Sequence, residues 1–264
     1  MPAVAVSRAG CEASGRMGRH PKGELVSARV LAFDTSTEAL AVALQIDADL
    51  FTWNGPSGAV ASAQLLPQVR RLLQQAGAEL RQLQAIAFGR GPGAFTGLRT
   101  ACAVAQGLAL GAELPVLPVD SLMIVAEGVR VAQPGAPDDI DVVMDARMAE
   151  VYAGRYRWDG AHWQVSRAPA LYSLDGLHAA WALQPPRCVA GSALAALGGR
   201  LRSGEALRIG ADIDRAAALL RLAQQLWIDG AGIDAAAALP LYLRDKVALT
   251  VAEREALRRA EHAA

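Results

Sequence analysis

The chain has 264 residues, of which 53% are hydrophobic and 20% are charged, and its 26 basic side chains balance 26 acidic ones. This composition excludes an intrinsically disordered protein, because such chains combine low hydrophobicity with high net charge. A neutral chain lacks the positive electrostatic field that drives autonomous nucleic-acid binding. The sequence contains no run of eighteen apolar residues free of charge, so no membrane span is predicted. The length suits one large domain or two of ordinary size.

Neither the ends of the chain nor the cysteines predict a catalytic or metal site. Segment 1–28 mixes glycine, proline and charge without an apolar period, which predicts a disordered leader. An organellar presequence and a start codon assigned too far upstream are alternatives, the latter being simpler. Residues 251–264 are predicted to be a polar tail. Cys11, Cys102 and Cys188 are widely spaced, which favours a reducing cytoplasm over disulfides or zinc.

Strands and helices alternate in the first half of the chain. Short apolar runs bounded by turn residues predict strands at 30–33, 40–44, 85–88 and 115–120, the first two forming a hairpin. Apolar or alanine-rich segments of helical length predict helices at 62–76, 98–110 and 121–131. This alternation predicts an α/β domain whose sheet is at least partly parallel.

An internal repeat follows the strongest linker of the chain, 133–140. Residues 141–156 again show an apolar strand ending in aspartate, a polar turn and a second strand, so that Asp34 and Asp145 stand at equivalent places. The repeat predicts two lobes of one ancestral design. We assign 29–132 to the first lobe, with closure by a C-terminal helix as an option, and 141–250 to the second, including a helix over 214–227.

The glycine-rich loop GlyArgGlyProGlyAlaPheThrGly precedes the second helix. It matches the dinucleotide fingerprint weakly, since a proline stiffens it and no acidic residue follows about twenty positions later. Thr96 is predicted to cap the helix, and Gly91 and Gly93 to let backbone amides face an anion. Equally well supported is the alternative that these glycines, with Gly97, only permit a tight turn and close helix packing.

A few polar residues could carry chemistry. Asp34 and Thr35 end a buried strand, where a carboxylate and hydroxyls can hold a hydrated metal or a phosphate, although ordinary turn chemistry explains them too. Asp145, Arg147 and Glu150 form either a local ion pair or, by symmetry with Asp34, part of a cleft. The chain has four histidines and no pair at helical spacing, so a histidine-based metal site or catalytic triad is not predicted.

Five segments carry a family resemblance: 30–38, 87–99, 105–111, 144–152 and 242–244. Over about residues 29–250 the chain resembles the bacterial TsaB (YeaZ) family, subunits of tRNA threonylcarbamoyladenosine biosynthesis. The shared motifs include Phe95, Asp145, Arg147, Glu150, Tyr242 and Arg244. Ala61 departs from the pattern, because many relatives carry histidine there, and a role for that histidine is not carried over.

The resemblance implies a two-lobed actin-like, RNase H-like (ASKHA) α/β fold with mixed sheets flanked by helices. It implies a non-catalytic subunit that pairs with the TsaD paralogue, which transfers threonylcarbamoyl to adenosine 37 of ANN-decoding tRNAs. The TsaE ATPase would join a larger complex, and tRNA would be reached only through it. Isolated subunits are expected to self-associate through an overlapping surface. Alternatives are a small-molecule kinase of the same superfold and a glycoprotease-like hydrolase.

The resemblance also assigns roles to residues. No metal and no cofactor are required, and at most weak nucleotide binding is expected in a vestigial cleft lined by Asp34, Thr35, Gly91, Gly93 and Thr96. Partner contact is expected on the small-residue helix, at Gly97, Arg99, Ala101, Ala105 and Gly107. Packing of these small residues within their own lobe is the alternative.

Overall fold

Ten strands form two five-stranded mixed sheets in the computed structural model, which describes residues 28–56, 61–210 and 212–244. The first sheet contains β1 (Val30–Asp34), β2 (Ala39–Ile46), β3 (Asp49–Pro56), β4 (Ala85–Gly91) and β5 (Val116–Asp120). The second contains β6 (Asp139–Asp145), β7 (Glu150–Trp158), β8 (Trp163–Ser173), β9 (Cys188–Ala190) and β10 (Leu207–Ile209). The predicted leader up to residue 27 and the chain beyond residue 244 lie outside the described residues.

Six helices accompany the sheets in the described part of the chain. They are α1 (Ala61–Ala76), α2 (Phe95–Ala112), α3 (Ser121–Ala132), α4 (Leu174–Leu183), α5 (Ala193–Leu197) and α6 (Arg215–Ile228). Short 3₁₀ turns cover Leu80–Gln82, Gly198–Arg200 and Ala235–Ala237. No helix within the described ranges is both long enough and apolar enough to span a bilayer.

The two sheets have the same topology. Their orders are β3-β2-β1-β4-β5 and β10-β9-β6-β7-β8. In each, the first strand pairs antiparallel with the second and parallel with the fourth, and the remaining pairings also agree in direction. Asp34 and Asp145 end the equivalent strands β1 and β6. The internal repeat predicted from the sequence is therefore confirmed.

The first sheet is covered on both faces, which explains why its strands read as continuous apolar runs. Leu31 and Phe33 of β1 pack with α1 and α2, whereas the alternate residues Val30 and Ala32 pack with α6 and α3. This division follows from the two-residue repeat of a strand. Helices α1 and α2 consequently form one outer layer of the molecule.

Helix α6 lies on the first sheet and not, as predicted, in the second lobe. Its residues Ala216, Leu219 and Ala223 are buried with the strands of the first sheet. Ile233 beyond it exchanges backbone hydrogen bonds of 2.9 Å with Val116. The predicted extent of the second lobe, 141–250, is thus too long, and the C-terminal helix closes the first lobe. A helical apolar period shows that a helix is amphipathic but not which sheet it covers.

Two further contacts define how the lobes are joined. Ala28, predicted to belong to the disordered leader, is buried and exchanges hydrogen bonds of 2.9 and 2.6 Å with the Gln224 side chain. Helix α3 connects the lobes, since Val125 and Val129 pack against the second sheet while Ile124 packs against the first. The two sheets therefore share a continuous apolar contact through α3.

Candidate functional site between the lobes

A cleft of about 630 Å³ lies between the lobes, where the β1–β2 turn faces the β6–β7 turn. The N-terminus of α2 and segment 241–244 complete its walls. Five of the six predicted motif residues line it: Phe95, Asp145, Arg147, Tyr242 and Arg244. The sixth, Glu150, is bound to Arg244 at 2.5 Å. The structure thus gathers in one place residues that are up to 149 positions apart in the chain.

The carboxylate of Asp34 is buried and does not line the cleft, but both of its oxygens are bound by residues that do, Ser36 and Arg215. Oδ1 accepts a hydrogen bond from Ser36 N at 3.1 Å, and Oδ2 accepts one from Ser36 Oγ at 2.9 Å. The guanidinium of Arg215 forms an ion pair with Oδ2, and both side chains are buried. Arg215 therefore already supplies the positive charge that a metal ion would bring, which does not fit the hypothesis of a hydrated metal at Asp34. Sequence reasoning missed Arg215.

Gly93 and Gly97 allow the start of α2 to pack closely against the backbone of the β1–β2 turn. A Cβ on Gly93 would overlap the carbonyl oxygen of Ser36, and a Cβ on Gly97 would overlap that of Thr35. Thr35 Oγ1 donates to the carbonyl oxygen of Gly97 at 2.6 Å, and the amide of Gly91 donates to Ser121 Oγ at 3.0 Å. The packing alternative is thus correct for Gly93 and Gly97, while weak nucleotide binding in the cleft stays a prediction.

The predicted cap of α2 is wrong. The helix begins at Phe95, with Ala94 as its N-cap and without a side-chain hydrogen bond to the cap. Thr96 consequently lies inside the first turn, where its side chain is exposed. The sequence prediction began the helix three residues too late, because it counted Phe95, Thr96 and Gly97 as part of the glycine-rich loop.

The β6–β7 turn has an unusual backbone. Arg147, Met148 and Ala149 have φ values of 64°, 55° and 56°, a left-handed run that costs a non-glycine residue about 1–2 kcal/mol each. Side chains hold the turn in place: Arg147 binds Glu38 of the first lobe at 2.5 Å, and Arg244 Nη2 donates to the carbonyl oxygen of Ala146 at 2.9 Å. Left-handed residues of this kind concentrate at functional sites. The turn presents the exposed Met148 at the mouth of the cleft.

An aromatic and cationic cluster stands where α2 leaves the cleft. The guanidinium of Arg99 lies 3.9 Å from the centroid of the Phe95 ring, and its Nε donates to the hydroxyl of Tyr242 at 3.1 Å. The Phe95 and Tyr242 rings are 5.2 Å apart. A cation over an aromatic face is a favourable contact of about 0.5–1 kcal/mol at an exposed site. The structure therefore joins a predicted partner-binding residue to two predicted motif residues.

The small residues of α2 divide between two faces. Gly97, Ala101 and Ala105 are buried against the first sheet, so the packing alternative is correct for them. The exposed face carries Arg99 and Gly107, as predicted, and three residues that were missed: Ala103, Leu110 and Gly111. A Cβ on Gly107 or Gly111 would meet no atom within 4 Å. Because small residues occur on both faces, the sequence did not reveal which one is at the surface.

Among the described residues, the lining of the cleft contains no cysteine and no histidine. Cys102 and Cys188 are buried outside it, and burial raises the pKa of both thiols, that of Cys188 to about 11. The acids Glu38 and Asp145 are each paired with Arg147. Within residues 28–56, 61–210 and 212–244, no three acidic, histidine or cysteine side chains cluster as metal ligands.

We expect Cys102 and Cys188 to resist iodoacetamide at pH 8. With a pKa of about 11, Cys188 is protonated at that pH in all but roughly a thousandth of the molecules, and only the thiolate reacts. Peptide mass spectrometry of protein alkylated before and after unfolding in urea measures this protection. Equal alkylation of Cys188 in the two samples would contradict it.

Comparisons with known proteins agree with this geometry. A family model described as "TsaD: tRNA N6-adenosine threonylcarbamoyltransferase" matches residues 60–202. The chain is 34% identical over 229 residues to "tRNA threonylcarbamoyladenosine biosynthesis protein TsaB" of Escherichia coli (strain K12), covering 83% of this chain and 96% of that protein. It is 41% identical over 123 residues to the Haemophilus influenzae protein of the same name, covering 47% of this chain and 51% of that protein.

A solved structure shows the same fold over the full length of its chain. The structure "YeaZ from Pseudomonas aeruginosa" is 37% identical, with a TM-score of 0.73, and the match covers 82% of this chain and 100% of that one. The predicted two-lobed actin-like, RNase H-like fold is confirmed. Taken with the Escherichia coli relative, this places the chain in the TsaB (YeaZ) family of tRNA threonylcarbamoyladenosine biosynthesis proteins.

Proposed function

We propose that the chain is a non-catalytic subunit that pairs with the TsaD paralogue and so supports threonylcarbamoyl transfer to adenosine 37 of ANN-decoding tRNAs. The observation that carries this proposal is the buried carboxylate of Asp34 beside the cleft, which Arg215 and Ser36 already engage. Because Arg215 balances the charge of this carboxylate and Ser36 donates to both of its oxygens, a role as metal ligand or general base is disfavoured. No observation among the described residues supports the kinase hypothesis or the glycoprotease hypothesis.

The same cleft supports a subunit that needs no metal and no cofactor of its own. Nucleotide, if it binds there, binds weakly, because Thr35 and Gly91 already use their polar groups internally. The balanced charge of the chain supports contact with tRNA only through a larger complex, which in this proposal also includes the TsaE ATPase.

The exposed face of α2 is the surface proposed to receive the paralogue. Gly107 and Gly111 leave open space above the helix, so a partner helix can approach its backbone closely. Leu110 beside them is 76% exposed, and Leu66 of the neighbouring α1 is 43% exposed, which supplies apolar area. Arg99 lies two to three turns away on the same face. Self-association of the isolated chain is proposed to use an overlapping surface.

Reconstitution tests the proposed role. Purified chain, the paralogue, the adenylate-forming enzyme TsaC and TsaE are mixed with unmodified tRNA, and the modified nucleoside is measured by mass spectrometry. We expect product in the complete mixture and none from this chain without the paralogue. Robust modification by this chain in the absence of the paralogue would refute the proposal.

We expect Gly107→Trp to reduce co-purification with the paralogue at least tenfold, because an indole would fill the space that the partner helix needs. Arg99→Glu is expected to weaken pairing as well, since it removes the cation of the Phe95 and Tyr242 cluster. Gly199→Trp is the matched control: that glycine is also exposed with no atom within 4 Å, but it lies in the second lobe. Unchanged co-purification of both α2 variants would move the interface elsewhere.

A further inference from the structure

Segment 238–244, which has no regular secondary structure, runs from the first lobe to the second. At its start, the carbonyl oxygen of Ala238 accepts a hydrogen bond from Gln106 Nε2 of α2 at 3.0 Å. At its end, Arg244 binds the β6–β7 turn of the second lobe. The last four residues of the segment line the cleft between the lobes. The segment therefore connects the two lobes along one wall of the cleft.

The middle of the segment is fixed on the first lobe. The amide of Leu241 donates to the carbonyl oxygen of Arg90 at 2.7 Å, and a Cβ on Gly91 would lie only 2.9 Å from the carbonyl oxygen of Leu241. The hydroxyl of Tyr242 accepts a hydrogen bond from Arg99 Nε at 3.1 Å. Arg99 belongs to the exposed face of α2 that is proposed to receive the paralogue. A partner docked on that face would therefore contact a side chain that is hydrogen-bonded to the segment.

The end of the segment holds the β6–β7 turn at several points. Arg244 Nη2 donates to the carbonyl oxygen of Ala146 at 2.9 Å and binds the carboxylate of Glu150 at 2.5 Å. Arg244 Nη1 lies 3.2 Å from the sulfur of Met148. The preceding residue, Leu243, packs into the apolar core of the second lobe. A displacement of the segment would therefore be felt by the whole turn.

The conformation of this turn depends on the contacts around it. Residues 147–149 are three consecutive non-glycine residues in the left-handed region, which L-amino acids disfavour. Two backbone hydrogen bonds of 3.0 Å close the turn, and Arg244 adds the side-chain contacts. A strained backbone persists only where surrounding contacts outweigh its cost. Loss of the contacts from Arg244 therefore favours a relaxed turn.

The same turn makes a second contact between the lobes. The guanidinium of Arg147 binds the carboxylate of Glu38, in the β1–β2 turn of the first lobe, at 2.5 Å. The side chains are 71% and 79% exposed, and an ion pair at that exposure is weak by itself. Whether it forms consequently depends on where the β6–β7 turn is held. This ion pair closes the mouth of the cleft only while the turn keeps its present conformation.

We propose that segment 238–244 couples docking of the paralogue on α2 to closure of the cleft between the lobes. A partner that contacts Arg99 restrains Tyr242 and the residues that follow it. The β6–β7 turn is then held so that Arg147 reaches Glu38. Because coupling between two sites is reciprocal, contacts that close the cleft also strengthen pairing. This inference rests on the proposed pairing at α2.

Hydrogen exchange followed by mass spectrometry tests the coupling on the full-length chain, alone and with the paralogue. Pairing is expected to slow exchange in peptides that cover residues 146–150 by a factor of about three, although this turn belongs to the second lobe. Tyr242→Phe, which removes only the hydroxyl bound to Arg99, is expected to abolish most of that protection. Protection of α2 without any change in the turn would overturn the coupling and leave the proposed pairing intact. Absence of pairing would refute both.

A double-mutant cycle on the affinity for the paralogue, measured by calorimetry, tests the reciprocal effect. Glu38→Gln is expected to weaken pairing about threefold in the parent chain, and to have no further effect in a chain that already carries Arg244→Ala. Arg29→Ala is the matched control, because it breaks another exposed ion pair of the first lobe, with Asp47, and should leave the affinity unchanged.

The cycle also separates coupling from direct contact with the partner. If Glu38 touched the paralogue itself, Glu38→Gln would cause the same loss with and without Arg244→Ala. Equal losses in the two backgrounds, or an affinity of Glu38→Gln equal to that of the parent chain, would overturn the proposal. Circular dichroism of Arg244→Ala checks that its fold is retained, and Arg244→Gln replaces it in the cycle if it is not.

Discussion

Arg215→Met is expected to lower the free energy of unfolding by about 3–5 kcal/mol, because it leaves the carboxylate of Asp34 buried without its cation. The two Ser36 hydrogen bonds that remain do not neutralise the charge. Urea denaturation followed by circular dichroism gives the change in midpoint, from which the free energy is obtained at constant slope. This is the larger of the two stability effects that we predict.

The matched control is the double variant Asp34→Asn with Arg215→Met. It removes both charges together, so we expect it to recover at least half of the stability lost in the single variant. Because both side chains are buried and the proposed pairing surface is the exposed face of α2, the double variant should still pair with the paralogue. A single variant within about 1 kcal/mol of the parent protein would show that the buried ion pair is not required for stability.

Gly97→Ala is expected to destabilise the protein by about 3 kcal/mol. The added Cβ would overlap the carbonyl oxygen of Thr35, a backbone atom that cannot move without shifting the β1–β2 turn. Gly107→Ala, on the exposed face of the same helix, is the control; it meets open space and should stabilise by up to about 1 kcal/mol through helix propensity. The same urea experiment measures both. Equal stability of the two variants would contradict the close approach of α2 to the turn.

Local periodicity predicted much of the fold. The hairpin of β1 and β2, the helices α1 and α3, and the repeat that equates Asp34 with Asp145 were all readable from the sequence, because each depends on neighbouring residues and on burial. The second sheet was recognised through the repeat. Which sheet α6 covers was not predicted, because its apolar stripe could pack on either sheet.

The site was predicted less completely, for similar reasons. Asp34 was identified, but its partner Arg215 lies 181 positions away, and no local pattern connects them. The two faces of α2 carry similar small residues, so the choice between Gly97 and Gly107 as surface positions needed the structure. A smaller cavity of about 370 Å³, lined by Arg90 and by parts of 118–130, 158–165 and 221–229, was not predicted at all, because only the arrangement of the lobes brings these four segments together.

Because α6 follows the second lobe in the chain but packs on the first sheet, the first lobe cannot be completed early during synthesis on the ribosome. Residues 139–209 form the second lobe, and α6 follows them at 215–228, so the second lobe is inserted into the first. When β5 has left the ribosome, the face of the first sheet that carries Val30, Ala32 and Ala87 still lacks its covering helix. The first lobe can close only about a hundred residues later, and until then this apolar face is open to chaperones or to aggregation.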